Sequence, residues 1–238
     1  MVWEDFGSCR SFKRMTVYSK LVIFITVFLI VGGTAAFWLL ERSNPATLAN
    51  RPFAEQILLA MFQSVTCRTA GFWTMEQSAL TEASKAVGAF LMFIGGSSGS
   101  TAGGLKTATF GVLVLAVIST ARGSSNLTVF KRTIAKNQVT SAMSLFGVML
   151  GLIFFGAVFI TASNQIPFID TLYETVSALA TVGVTTGITS TLGLGAKLLL
   201  MAYMFFGRVG IMTISLGFLF RNRAADRYRY AEAAMLIG

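Results

Sequence analysis

The sequence predicts an all-α membrane protein built from two tandem copies of one unit: a spanning helix, a half-helix that re-enters the membrane, and a second spanning helix. Three observations carry this. The 238 residues are 54% hydrophobic and only 12% charged, about half the charge of a soluble domain, and the mean hydropathy is +0.70. Long charge-free runs approach the roughly twenty residues that a crossing helix needs. Short motifs then recur at one constant separation.

The first span is Leu21 to Leu40, bounded by Lys20 and Glu41. Lys85 to Ala121 is a broken span: helical over Ala86 to Ile94, interrupted by a glycine- and serine-rich stretch from Gly95 to Thr107, then apolar again. Val139 to Ala162 is the third span, and Leu198 to Phe220 the fourth, with Arg208 near its middle. Between the spans lie two segments too short to cross, Phe53 to Val65 and Phe168 to Ala180. Each opens on a proline with an acid soon after, Pro52-Phe53-Ala54-Glu55 and Pro167-Phe168-Ile169-Asp170, which are helix-start signals. A half-helix must lead into irregular backbone, which survives in a membrane only where protein buries it or water lines it.

Charge sets the expected orientation. Arg10, Lys13, Arg14 and Lys20 precede the first span, Arg122, Lys131, Arg132 and Lys136 lie between the units, and Arg221, Arg223, Arg227 and Arg229 follow the fourth span. These twelve of 19 basic residues fall on one side, taken as cytoplasmic. The formal charge of +9 is therefore read as membrane flanks rather than a nucleic-acid surface. The organisation expected is a cytoplasmic flank over 1–20, a first unit over 21–121, a basic linker over 122–137, a second unit over 138–220 and a basic tail over 221–238. Cys9 and Cys67 then lie on opposite sides and do not pair. The N-terminal stretch is polar, and the run after it is too long for a signal peptide.

The repeat is read from register. Thr69-Ala70-Gly71-Phe72 and Thr181-Val182-Gly183-Val184 are 112 residues apart, as are Lys85 and Lys197, and Met92-Phe93-Ile94-Gly95 and Met204-Phe205-Phe206-Gly207. The proline starts are 115 apart, which places three extra residues in the first copy, around Thr66-Cys67-Arg68. Two copies of one orientation are related by rotation about the membrane normal, an axis suited to a pore.

Chemistry narrows the function. With no histidine, Ser-His-Asp triads, His metal sites and His proton relays are excluded, and two cysteines do not make a structural zinc site. Gly99 to Thr107 misses the phosphate-loop pattern by one leucine, and no strand precedes it. Ser97, Ser98 or Ser100 with Lys106 offers a remote Ser-Lys enzyme alternative, and a non-conducting assembly half is another. A Thr-x-Gly loop after a half-helix suits a cation better: glycine frees the backbone to turn its carbonyls, the helix C-terminus is negative, and carbonyls replace the ion's water shell. Mid-span Arg208 marks function; the nearby spans are read as offering it no acid. Arg68 is expected to brace the outer mouth.

The segment Ser64 to Phe72, the stretch Gly95 to Thr107 and Gly207-Arg208-Val209-Gly210 together resemble the Trk/Ktr/HKT potassium-transporter superfamily, most closely its KtrB-type membrane subunits. The resemblance covers essentially the whole chain. It implies K⁺, and possibly Na⁺, as the transported ion, no cofactor, and a place in the bacterial plasma membrane. Family members carry four such units around one pore; this chain has two, matching the third and fourth, so a partner half is implied. Thr69, Ala70, Gly71, Phe72, Thr181, Val182, Gly183 and Val184 would form half of the selectivity filter. Gly95, Gly96, Ser97, Ser98, Gly99, Ser100, Thr101, Ala102, Gly103, Gly104 and Lys106, with Arg208, would form an intramembrane gate, Lys106 directing its charge to the cavity or cytoplasm. The resemblance also implies a homodimer of complete subunits, lipid contact, and a cytoplasmic nucleotide-binding regulatory ring.

Overall fold

A computed structural model describes residues 15–97, 102–123, 128–129 and 132–209. Cys9, the tail after Val209 and the gate residues Ser98, Gly99, Ser100 and Thr101 lie outside the described residues. The first unit comprises α1 (Val17–Glu41), α2 (Phe53–Thr66), α3 (Glu82–Phe93) and α4 (Thr107–Ala121). The second comprises α5 (Lys136–Asn164), α6 (Phe168–Leu179) and α7 (Leu194–Val209). Between them Thr128–Val129 (β1) pairs antiparallel with Arg132–Thr133 (β2), a small ladder within the linker that charge patterning does not reveal. α5 begins at Lys136, so the end of the predicted linker is helical.

Local chemistry explains each boundary. Thr16 caps α1, its hydroxyl accepting the Ser19 N–H at 3.2 Å, which satisfies a helix-end donor. α1 and α5 are long and apolar enough to cross a membrane. α1 ends on Glu41, fully buried, whose carboxylate accepts from Asn44 Nδ2 at 2.7 Å, Thr47 Oγ1 at 2.6 Å, and the Thr81 amide and hydroxyl at 2.9 and 2.8 Å. Because Thr81 is itself the N-cap of α3, this one acid fastens α1 to the start of α3. A buried acid persists only when bonded in this manner.

Pro52 and Pro167 cap α2 and α6, with Glu55 and Asp170 in the first turns. Both half-helices thus start where the sequence placed them. α2 packs on α1 and α6 on α5 and α7. Ser64 of α2 donates to the Ile30 carbonyl at 3.1 Å, reached because Gly33 leaves room there. The two units meet along α3 and α6. There Lys85 Nζ lies 2.7 Å from Asp170 Oδ1, both side chains largely buried, and Gly88 faces the ring of Tyr173. The core is continuous across this seam, through Phe37, Met92, Tyr173 and Leu179. Large apolar side chains such as Phe24, Phe28, Phe154 and Phe205 stand on the outside, as lipid- or protein-facing surfaces do.

Candidate functional site

α2 and α6 both stop short and aim their C-termini at the two Thr-x-Gly loops. The loops share an unusual backbone. Thr69 has φ 72° and Gly71 φ 81°; Thr181 has φ 55° and Gly183 φ 89°. Left-handed φ at a β-branched residue is a true outlier, costing about 1–3 kcal/mol, and such outliers gather at functional sites. Here the same outlier stands at the same repeat position twice. Positive φ at every second residue lets neighbouring carbonyls face one way instead of alternating as they do in a strand.

The loops also meet. A Cβ on Gly71 would sit 2.5 Å from the Val182 carbonyl oxygen and 3.9 Å from the Gly183 Cα. Only glycine permits both the approach and the torsion at this position.

Each loop is held from behind by its own half-helix. The Thr66 hydroxyl donates to the Phe72 carbonyl, and the Ser177 hydroxyl to the Val184 carbonyl at 2.6 Å. These matching bonds align Phe62-Gln63-Ser64-Val65-Thr66 with Tyr173-Glu174-Thr175-Val176-Ser177, a separation of 111. That corrects the placing of the extra residues. The first half-helix is one turn longer at its start, and the second copy has one more residue, not fewer, before its loop.

The alignment exposes a pair of positions that sequence reading missed. Gln63 exchanges hydrogen bonds with Gln77 at 2.7 and 3.1 Å, and Tyr173 Oη donates to Gln77 Oε1 at 2.8 Å. In the second unit Glu174, 5% exposed, accepts from the Thr185 hydroxyl, the Thr186 N–H at 3.1 Å and the Thr189 hydroxyl at 3.1 Å. Gln77 and Thr189 each stand six residues past the glycine of their loop. The kinship of Phe-Gln-Ser-Val-Thr and Tyr-Glu-Thr-Val-Ser was the available signal.

The stretch Gly95 to Thr107 is closed at its base by backbone bonds: Gly95 N–H to Leu105 O and Leu105 N–H to Phe93 O, both 2.9 Å, and Thr107 N–H to Gly96 O at 3.1 Å. These main-chain bonds join the two sides of the break at its base. Gly96, Ser97 and Ala102 are half-buried and Gly103 buried. The Gly103 N–H donates to Thr181 Oγ1 at 3.0 Å, where a Cβ on Gly103 would crowd the Ala180 carbonyl at 2.6 Å. Gly104 has φ 71°. The Lys106 ammonium folds back onto the Ala102 carbonyl within the stretch itself.

One expectation is corrected. Arg68 does not turn to the outer mouth: its Nη2 donates to Thr107 Oγ1 at 2.9 Å and to the Gly95 carbonyl at 3.3 Å, gripping both ends of the glycine-rich stretch. Arg208 shares a cavity with an acid of the half-helix α6, while the described parts of the spans beside it supply none. That cavity of about 410 Å³ is lined by Arg208, Glu174, Thr181, Gly183, Thr185 and Thr189, among others. Arg208 stands in the last turn of the described α7, beside the second Thr-x-Gly loop.

A family model described as TrkH, a cation transport protein, matches residues 8–224. The chain belongs to the TrkH family. The potassium/sodium uptake protein NtpJ of Enterococcus hirae is 37% identical over 243 residues, covering 100% of this chain and 54% of that protein. The Ktr system potassium uptake protein B of Bacillus subtilis is 34% identical, covering 96% of this chain and 51% of that one. The crystal structure of the potassium transporter TrkH from Vibrio parahaemolyticus superposes with a TM-score of 0.67 at 21% identity, over 89% of this chain and 46% of that chain, and shows the fold. This TrkH-family chain thus spans about half the length of its relatives. The relatives' names are those of transporters, not of enzymes.

Proposed function

We propose that this chain forms half of the ion pathway of a potassium uptake protein. One observation carries the reading: two repeat-related Thr-x-Gly loops, each with left-handed Thr and Gly, come into contact at Gly71 and Val182. Thr69, Ala70 and Gly71 with Thr181, Val182 and Gly183 supply half of a carbonyl cage in which a monovalent cation exchanges its water, while Phe72 and Val184, whose carbonyls are bonded back to Thr66 and Ser177, anchor the ends of the two loops. K⁺ is the favoured ion, in keeping with the names of the relatives; Na⁺ is the second, since one of them is named for both.

Below the cage, the Gly95–Thr107 stretch with Lys106 acts as a gate, and Arg208 opposes cation passage electrostatically. Two further units complete the ring. The complete subunits form a homodimer in the bacterial plasma membrane with basic flanks and both termini cytoplasmic, and a cytoplasmic nucleotide-binding ring sets the gate.

The test is Gly183→Ser in the full-length protein. A side chain at φ 89° strains the loop, so discrimination of K⁺ from Na⁺ is expected to weaken. Unchanged K⁺ rescue and unchanged Na⁺ sensitivity in an uptake-deficient strain would refute the filter assignment.

A further inference from the structure

We infer that Glu174 is the positioning residue that fixes the second Thr-x-Gly loop and thereby sets its preference between K⁺ and Na⁺; this rests on the filter reading above. Glu174 touches no part of Thr181–Val184 through a hydrogen bond. It holds the threonines immediately beyond them. Three donors from Thr185, Thr186 and Thr189 converge on its carboxyl group, and Gly187, at φ 91°, turns the chain between them. The Gly187 N–H is bonded in turn to Thr185 Oγ1 at 2.9 Å.

Val184 is therefore pinned on both sides. Its carbonyl is taken by Ser177 at 2.6 Å, and the residue after it is tied to Glu174. Since Ser177 and Glu174 lie three residues apart on α6, one rigid turn of helix sets both anchors, and Gly183 hangs directly before them. Selectivity in a carbonyl cage is argued from the size of the cage and from the number and field strength of its carbonyl dipoles, and the position of the loop bears on both. A loop free to shift at Val184 would accept a smaller ion more readily.

Burial makes the brace self-enforcing. At 5% exposure a carboxyl group that loses its donors pays heavily for desolvation, so the loop cannot relax away without leaving the acid stranded. Three donors from one short segment share that carboxyl group. The first unit holds its loop at the equivalent position with a neutral Gln63–Gln77 pair. The two loops are thus braced by different chemistry, and each has its own tie to the glycine-rich stretch, the first through neighbouring Arg68 and the second through Thr181.

The experiment compares Glu174→Ala, Glu174→Gln and Gly183→Ser in the full-length transporter, reading half-saturation for K⁺ and Na⁺ separately from maximal uptake at matched membrane abundance. Gln can keep its oxygen on Thr186 and turn its amide to the Thr189 hydroxyl, so it retains most of the geometry. The expected result is a fall in the K⁺/Na⁺ preference of about fivefold in Glu174→Ala, the effect of one net hydrogen bond, a smaller fall in Glu174→Gln, and little change in maximal uptake. Thr185→Val with Thr189→Val removes two donors without touching the acid, and decides the matter by the same readout if Glu174→Ala does not reach the membrane. Wild-type preference in these variants, with a lowered preference in Gly183→Ser, overturns the role of Glu174 and leaves the filter reading intact. Wild-type preference in Gly183→Ser as well overturns both.

Discussion

Gly156 lies on α5 where that helix crosses both α6 and α7, and replacing it with alanine tests the packing that carries the second loop. The added Cβ would fall 2.7 Å from Tyr203 Cε2, 2.8 Å from Thr175 Cγ2 and 3.1 Å from the Tyr203 hydroxyl oxygen. Ordinary contact begins near 3.4 Å, so each neighbour must retreat by about 0.6 Å in a close-packed interior. Neither has slack. Tyr203 is 2% exposed and its hydroxyl donates to the Leu152 carbonyl at 2.6 Å; Thr175 is fully buried and donates to the Thr171 carbonyl at 2.6 Å. Overpacking of this kind costs about 1–3 kcal/mol, against up to about 1 kcal/mol regained from alanine's helix propensity. Gly151→Ala on the same helix meets nothing within 4 Å and keeps the propensity gain alone. The two variants should therefore differ by the clash itself, about 1–3 kcal/mol, with Gly156→Ala the weaker, in equilibrium unfolding of the full-length protein in mixed detergent. Equal stability of Gly156→Ala and Gly151→Ala would refute the α5–α6–α7 packing.

Lys85→Ala strands Asp170 at the seam between the units, where both side chains are mostly buried, and should cost about 3 kcal/mol in the same unfolding assay. Lys85→Met with Asp170→Leu should recover most of that loss, since an apolar pair of like size replaces a buried ion pair at little cost; a double variant as weak as the single one contradicts the pairing. Arg208→Ala should raise flux by removing a cation from beside the second loop, measured as rubidium uptake at matched expression, and equal or lower flux would refute its opposing role.

What could be read from the chain and what could not divides along physical lines. Pro52 and Pro167 with their first-turn acids announce the half-helix starts because backbone chemistry at a helix N-terminus is local. The 112-residue register was legible because loops and second helices match residue for residue. The half-helices were less so. A four-residue insertion at one end and a single deletion at the other leave a net of three, and only a hydrogen bond such as Ser177 to Val184 shows where each falls. Glu174 stayed hidden for that reason: without the correct register, a single acid on a short amphipathic helix reads as part of a wetted face. Arg68 illustrates another limit. Sequence places its backbone beside the first loop, whereas the long side chain spends its reach on Thr107 and Gly95, a direction set by packing alone.

The glycine-rich stretch is moored at both ends of its neighbourhood, by Arg68 to one loop and through the Gly103 amide to Thr181 of the other. On the proposed reading, shutter and sieve are one linkage. Displacing the stretch would break the Arg68–Thr107 and Gly103–Thr181 bonds together, so a change in either of the two proposed elements would load the other.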